Sequence, residues 1–186
     1  EKALSIPGNG FNVYFYDDET EREIVREQNI KRELALIADN ESHGGLYLQY
    51  QPILDLSSGR ISGFEALARI KSDKIGFIPP LEFIPIAEKT KLIIPIGKKI
   101  ILRALAFIGR LRDAGHADVT VSVNVSAIQV LANDFKEDLL NMIGEMDASP
   151  KDLGIEITES VFTSDYSEIN CILGELREKG MIIAID

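Results

Sequence analysis

Residues Val119 to Ser126 read VTVSVNVS, and no other stretch limits the possible folds as tightly. Successive side chains of a strand point to opposite faces, so Val119, Val121, Val123 and Val125 take one face while Thr120, Ser122, Asn124 and Ser126 take the other. The valine face needs a cover of helices. The other face is polar where a sheet packed on both sides carries apolar residues, so it lines a solvated or ligand-filled mouth.

The flanking pattern supplies the helices. "LYLQYQPILDL" and "RISGFEALARI" read as two strands joined at Ser57-Ser58-Gly59. Pro79, Pro80, Pro85 and Pro95 are expected to break helices at intervals in the stretch that follows. "KKIILRALAFIGRLRDAG" then predicts a helix with Ile101, Ala104, Leu105, Ile108 and Leu111 inward and Gly115 as its stop. After VTVSVNVS, "DFKEDLLNMIGEM" places Phe135, Leu139, Met142, Ile143 and Met146 on one helical face. The unit repeats with "LGIEITES" as strand, "SEINCILGELREKG" as helix and "MIIAID" as strand. Strands alternating with amphipathic helices predict a parallel α/β architecture, either a barrel or an open sheet.

Upstream the pattern differs. "FNVYFY", Phe11 to Tyr16, predicts a strand after the Gly8-Asn9-Gly10 turn, with no obvious partner nearby. The charged segment from Glu19 to Asn40 places Ile30, Leu34 and Ile37 on one helical face and reads as an amphipathic connector. We therefore expect a leading piece over 1–18, a helical linker over 19–43 and the α/β domain over 44–186.

Charge and composition exclude several roles. A formal charge of −10 argues against affinity for DNA or RNA, which draws on clusters of Lys and Arg. A small anionic ligand would need local bases or bound cations to offset that field. No apolar run approaches the roughly 20 residues of a membrane span, and "EKALSIPGNG" lacks the layout of a signal peptide. The lone Cys171 can form no internal disulfide, which fits a reducing, cytoplasmic compartment.

Strand parity also sorts the polar groups. In "GFEALARI", Glu65, Leu67 and Arg69 share one face; in "GIEITES", Glu156 and Thr158 lie opposite Ile155 and Ile157; Asp186 ends "MIIAID". Glu65, Asn124, Glu156 and Asp186 thus offer oxygen ligands near the C-terminal ends of successive strands, where α/β folds gather their chemistry. Carboxylates converging there must take up protons or bind a hard divalent cation. An all-oxygen set favours Mg²⁺, Mn²⁺ or Ca²⁺ over zinc, and the two histidines, His43 and His116, read as exposed loop residues.

At these residues the chain resembles a known family. "LQYQPILDL", "GFEALARI", "FIPPLEFIPIAEKTKLI", "VSVNVS", "IEITES" and "IAID" together are similar to the EAL-domain cyclic di-GMP phosphodiesterases, whose name is spelled by Glu65-Ala66-Leu67. "ALSIPGNGFNVYFYD" resembles the closing strand of a GGDEF domain. The resemblance implies a (β/α)₈ TIM-like barrel with two Mg²⁺ or Mn²⁺ ions, hydrolysing cyclic di-GMP to linear pGpG. It makes Glu65, Asn124, Glu156 and Asp186 metal ligands, with Glu65 and Asp186 catalytic, and Gln51, Leu67 and Arg69 contacts of the dinucleotide. It also makes Glu159 a catalytic-site residue that steadies a loop over the site.

The family motif continues Asp-Phe-Gly where this chain ends at Asp186. About five of the eight barrel strands are therefore expected here, and 1–186 alone is expected to be inactive. The alternatives are an inactive cyclic di-GMP receptor or an interaction module, with a possible homodimer through the barrel or the linker helix.

Overall fold

The computed structural model describes residues 4–5, 12–13, 18–39, 45–157 and 166–185. Two short strands, β1 (Leu4–Ser5) and β2 (Asn12–Val13), pair antiparallel, with Leu4 opposite Val13. The strand expected within Phe11 to Tyr16 is therefore described only at Asn12–Val13, and its partner is Leu4–Ser5, just upstream. Local periodicity could show a strand there but not what it pairs with.

Helix α1 (Asp18–Ala38) follows, and the face read from the sequence is the one buried: Ile30, Leu34 and Ile37. Each such side chain taken out of water contributes roughly 1.5–3 kcal/mol, which holds an otherwise charged helix against the domain. Lys99 donates its ammonium N–H to the carbonyl of Ile37, at the end of α1 where backbone acceptors lack helical partners.

The main sheet begins with β3 (Leu46–Asp55) and β4 (Arg60–Ser72), an antiparallel hairpin with Gln51 opposite Glu65. Its turn is built around Asp55, whose carboxylate accepts from Ser57 N (2.8 Å), Ser57 Oγ (2.7 Å) and Ser58 Oγ (3.1 Å). Gly59 at φ +68° supplies the left-handed residue that the turn needs. A short β5 (Gly76–Ile78), unanticipated from the sequence, pairs with the end of β4.

Two helices come next, α2 (Pro80–Lys89) and α3 (Ile93–Asp113). Here the prolines do not punctuate as expected. Pro80 opens α2, Pro85 lies inside it, and Pro95 sits in the first turn of α3. A first-turn N–H has no helical partner, so a proline there costs no bond. Pro85 forgoes a bond to the carbonyl of Leu81, a residue 90% exposed, so that carbonyl is open to water. Helix α3 consequently starts before Lys98 and includes Gly97.

The remaining elements are β6 (Thr120–Asn124), α4 (Ala127–Val130), α5 (Phe135–Glu145), a 3₁₀ turn (Pro150–Asp152), β7 (Leu153–Ile157), α6 (Tyr166–Glu178) and β8 (Ile182–Ile185). The sheet order is β3-β4-β6-β7-β8; β4, β6, β7 and β8 run parallel, and only β3 and β5 run against them. Val121, Val123 and Val125 are buried with Leu153, Ile155 and Ile157 beneath the helices, as strand parity required. Tyr50 and Phe64 on the outer side of the hairpin pack on Phe107 of α3, with ring centroids 3.7 and 5.4 Å away. The other face of the sheet carries the polar residues.

Candidate functional site

The polar face is ordered by register. Across β3 and β4, Gln51 opposes Glu65, Gln49 opposes Leu67 and Tyr47 opposes Arg69. Across the parallel strands Glu65 aligns with Ser122, and Asn124 aligns with Glu156. Glu65, Asn124 and Glu156 therefore sit on adjacent strands of one sheet face. Asn124 Nδ2 donates to Glu65 Oε1 at 2.8 Å, and the N–H of Val125 donates to the carbonyl of Glu156 at 2.9 Å. These bonds tie the C-terminal end of β6 to both neighbours.

Asn124 spends one of its two amide N–H donors on Glu65, and its carbonyl oxygen remains an acceptor beside two half-buried carboxylates. Such an all-oxygen donor set suits a hard divalent cation. Two residues to either side of Asn124, the Oγ atoms of Ser122 and Ser126 are buried with no hydrogen-bond partner among the described residues. Buried hydroxyls of that kind are satisfied by water or by a polar ligand. The remaining expected ligand, Asp186, and Glu159, expected to steady a loop, lie outside the described residues, as does His43. Among the described residues no three His, Cys, Asp or Glu side chains come together.

Beside this row opens a cleft of about 430 Å³ whose lining includes Leu67, Arg69, Phe83, Asn124, Ser126 and Gln129. Leu67 and Arg69 are thus brought to the same opening as Asn124. Gln51 is exposed across from Glu65 and does not line the cleft. The guanidinium of Arg69 is held by Gln49, which accepts from Nε at 2.8 Å, and by the carbonyl of Ala68, which accepts from Nη1 at 3.0 Å. Among the described residues it pairs with no carboxylate. Its remaining N–H groups stay available for an anion.

The sequence reading missed Gln49, Phe83 and Gln129. Gln49 was within reach: it shares the parity of Gln51 and stands diagonal to Arg69, a spacing that long side chains cross. Phe83 and Gln129 come to the cleft from helices, and no strand rule points to them.

The chain belongs to the EAL domain family, which matches residues 34–186, and its mixed α/β domain with a largely parallel sheet is part of that family's TIM-barrel-like fold. It is 37% identical over 142 residues to a cyclic di-GMP phosphodiesterase of Pseudomonas aeruginosa, covering 76% of this chain and 24% of that protein. It is 35% identical over 188 residues to a probable cyclic di-GMP phosphodiesterase of Escherichia coli, PdeI, covering 98% of this chain and 23% of that one. The chain thus spans about a quarter of the length of these relatives. Among solved structures it is similar to the PaMucR phosphodiesterase in complex with c-di-GMP, with a TM-score of 0.77 and 32% identity, covering 85% of this chain and 63% of that one. Among the described residues no helix is long and apolar enough to cross a membrane.

Proposed function

We propose that this chain contributes the first part of a metal-dependent phosphodiesterase site that cleaves cyclic di-GMP to linear pGpG. The observation that carries this reading is the bond from Asn124 to Glu65 at 2.8 Å, with Glu156 in register and, on the adjoining cleft, the Arg69 guanidinium, which meets no carboxylate among the described residues. The names of the relatives and the cyclic di-GMP bound in the PaMucR structure support the choice of substrate.

The chain's own residues divide the work. Glu65, Asn124 and Glu156, with Asp186, hold Mg²⁺ or Mn²⁺. When bound, the ions offset phosphate charge, acidify a water and stabilise the leaving oxygen. Arg69, steadied by Gln49, neutralises a phosphate oxygen that the surrounding charge of −10 would otherwise repel. Leu67 and Phe83 offer apolar surface to a guanine. Gln51 contacts the ligand from the edge strand, and Glu159 steadies a loop over the site.

We further propose that 1–18 is the tail of a GGDEF-like domain and 19–43 a helical linker to an EAL domain over 44–186. Hydrolysis is assigned to the intact protein, with 1–186 alone inactive; this chain covers 63% of the PaMucR structure. The test is separation of nucleotides after incubating intact protein with cyclic di-GMP and Mn²⁺. Appearance of pGpG with wild type and not with Glu65→Ala supports the proposal. Binding without product makes the protein a receptor instead.

A further inference from the structure

Behind Asn124 lies a polar side chain that none of the roles above uses. Gln129 is 4% exposed, one of two buried polar residues among those described. Its Oε1 accepts the backbone N–H of Ser126 at 3.1 Å, and the backbone N–H of Gln129 donates to the Ser126 carbonyl at 3.0 Å. Ser126 is the extended residue, at φ −84° and ψ 158°, where the chain leaves β6 for the single turn of α4. Its N–H belongs to neither the sheet ladder nor the helix, so without the carboxamide this half-buried donor would lose its partner.

The carboxamide is seated against backbone. A Cβ built at Gly97 of α3 would lie 2.9 Å from Gln129 Cδ and would collide with Nε2. Any side chain at position 97 would displace the carboxamide from this seat. Val125 and Val130, buried on either side, pin the same segment from the core. The junction thereby rests on α3, and its buried part begins one residue after Asn124.

We propose that Gln129, seated on Gly97, is a positioning residue for Asn124: it holds the β6–α4 junction so that the Asn124 carboxamide meets Glu65 and presents its oxygen towards the cation. The metal part of this inference rests on the proposed phosphodiesterase site; the positioning part rests on the geometry alone. Residues that orient ligands typically change metal affinity by about 10- to 100-fold when removed.

The experiment uses the intact protein and the variants Gln129→Ala, Gln129→Glu, Gly97→Ala and the double variant Gly97→Ala/Gln129→Ala. Two readouts are taken on folded protein: the Asn124 side-chain NH₂ signals by NMR, assigned by their loss in Asn124→Asp, and calorimetric Mn²⁺ affinity. Gln129→Ala is expected to shift the Asn124 signals and to weaken Mn²⁺ by roughly tenfold. Gly97→Ala should match it, and the double variant should be no worse than either, because both changes unseat one group. Gln129→Glu keeps an acceptor for the Ser126 N–H and should retain most of the affinity. If Gln129→Ala does not fold, Gly97→Ala carries the comparison. Unchanged Asn124 signals and unchanged Mn²⁺ affinity in a folded variant would overturn the proposal, even with a lowered Tm. If wild type yields no pGpG but the Asn124 signals respond, the phosphodiesterase reading falls and the positioning stands.

Discussion

Asn124 on β6 donates its side-chain N–H to Glu65 on β4 at 2.8 Å, joining residues far apart in the chain on neighbouring parallel strands. The bond fixes which end of the carboxamide faces outward. One of the two amide N–H groups is satisfied by Glu65, and the amide oxygen is left as an acceptor on the same sheet face as the carboxylates.

Glu65→Ala is expected to abolish turnover and weaken Mn²⁺ binding. Glu65→Gln keeps an oxygen for the Asn124 N–H while removing the charge, so it should lose metal with little loss of stability, about 1 kcal/mol or less. Calorimetry with Mn²⁺ and chemical denaturation on the same samples separate the two effects. An unchanged affinity in Glu65→Gln would remove the carboxylate from the cation's ligands.

Arg69→Ala should weaken cyclic di-GMP binding by about 1.5–3 kcal/mol, the value of a charged hydrogen bond, or roughly 10- to 150-fold in Kd. Gln49→Ala frees the guanidinium without removing it and should cost about 0.5–1.5 kcal/mol. Titration with the nucleotide in EDTA, which withholds the divalent cation that the proposed cleavage needs, gives both values. Equal affinities in all three proteins would place the phosphate elsewhere.

Helix α1 separates packing from surface charge. Leu34→Ala removes a fully buried side chain and should cost about 2–5 kcal/mol of stability. Arg26→Ala breaks the 2.7 Å pair with Glu82 on α2, but both side chains are well exposed, so less than about 1 kcal/mol is expected. Denaturant midpoints of the two variants decide it; the reverse ranking would mean that α1 is held by its ion pair.

The β3–β4 turn carries a pH dependence of known sign. Hydrogen bonds from Ser57, then Ser58, hold the Asp55 carboxyl below its ordinary value. A depressed folded-state value stabilises the fold above the unfolded pKa, and that contribution is lost as pH falls through the folded one. A carboxyl NMR titration should therefore find Asp55 below an ordinary aspartate, and Ser57→Ala should move it up. A midpoint indifferent to Ser57 would show that the turn does not hold the charge.

How far each element could be read depended on how local its cause was. The buried face of α1, Ile30, Leu34 and Ile37, followed from a helical repeat, and the two faces of β6 from simple alternation. The hairpin turn was visible in Ser57-Ser58-Gly59 because Asp55, Ser57 and Ser58 bond within the turn itself. Helix limits around Pro85 and Pro95 were misread, since a proline's cost depends on whether its helix position has a bond to lose and whether water can replace it.

By itself the sequence determined which residues would share a face, because side-chain direction repeats with the local backbone, and so it brought Glu65, Asn124 and Glu156 to light as oxygen donors. Only the tertiary structure decided what each would touch. The register of β4 against β6 and of β6 against β7, the diagonal reach of Gln49 to Arg69 and the seat of Gln129 on Gly97 join segments tens of residues apart. Those meetings are selected by burying the whole apolar face at once, and no local repeat encodes them.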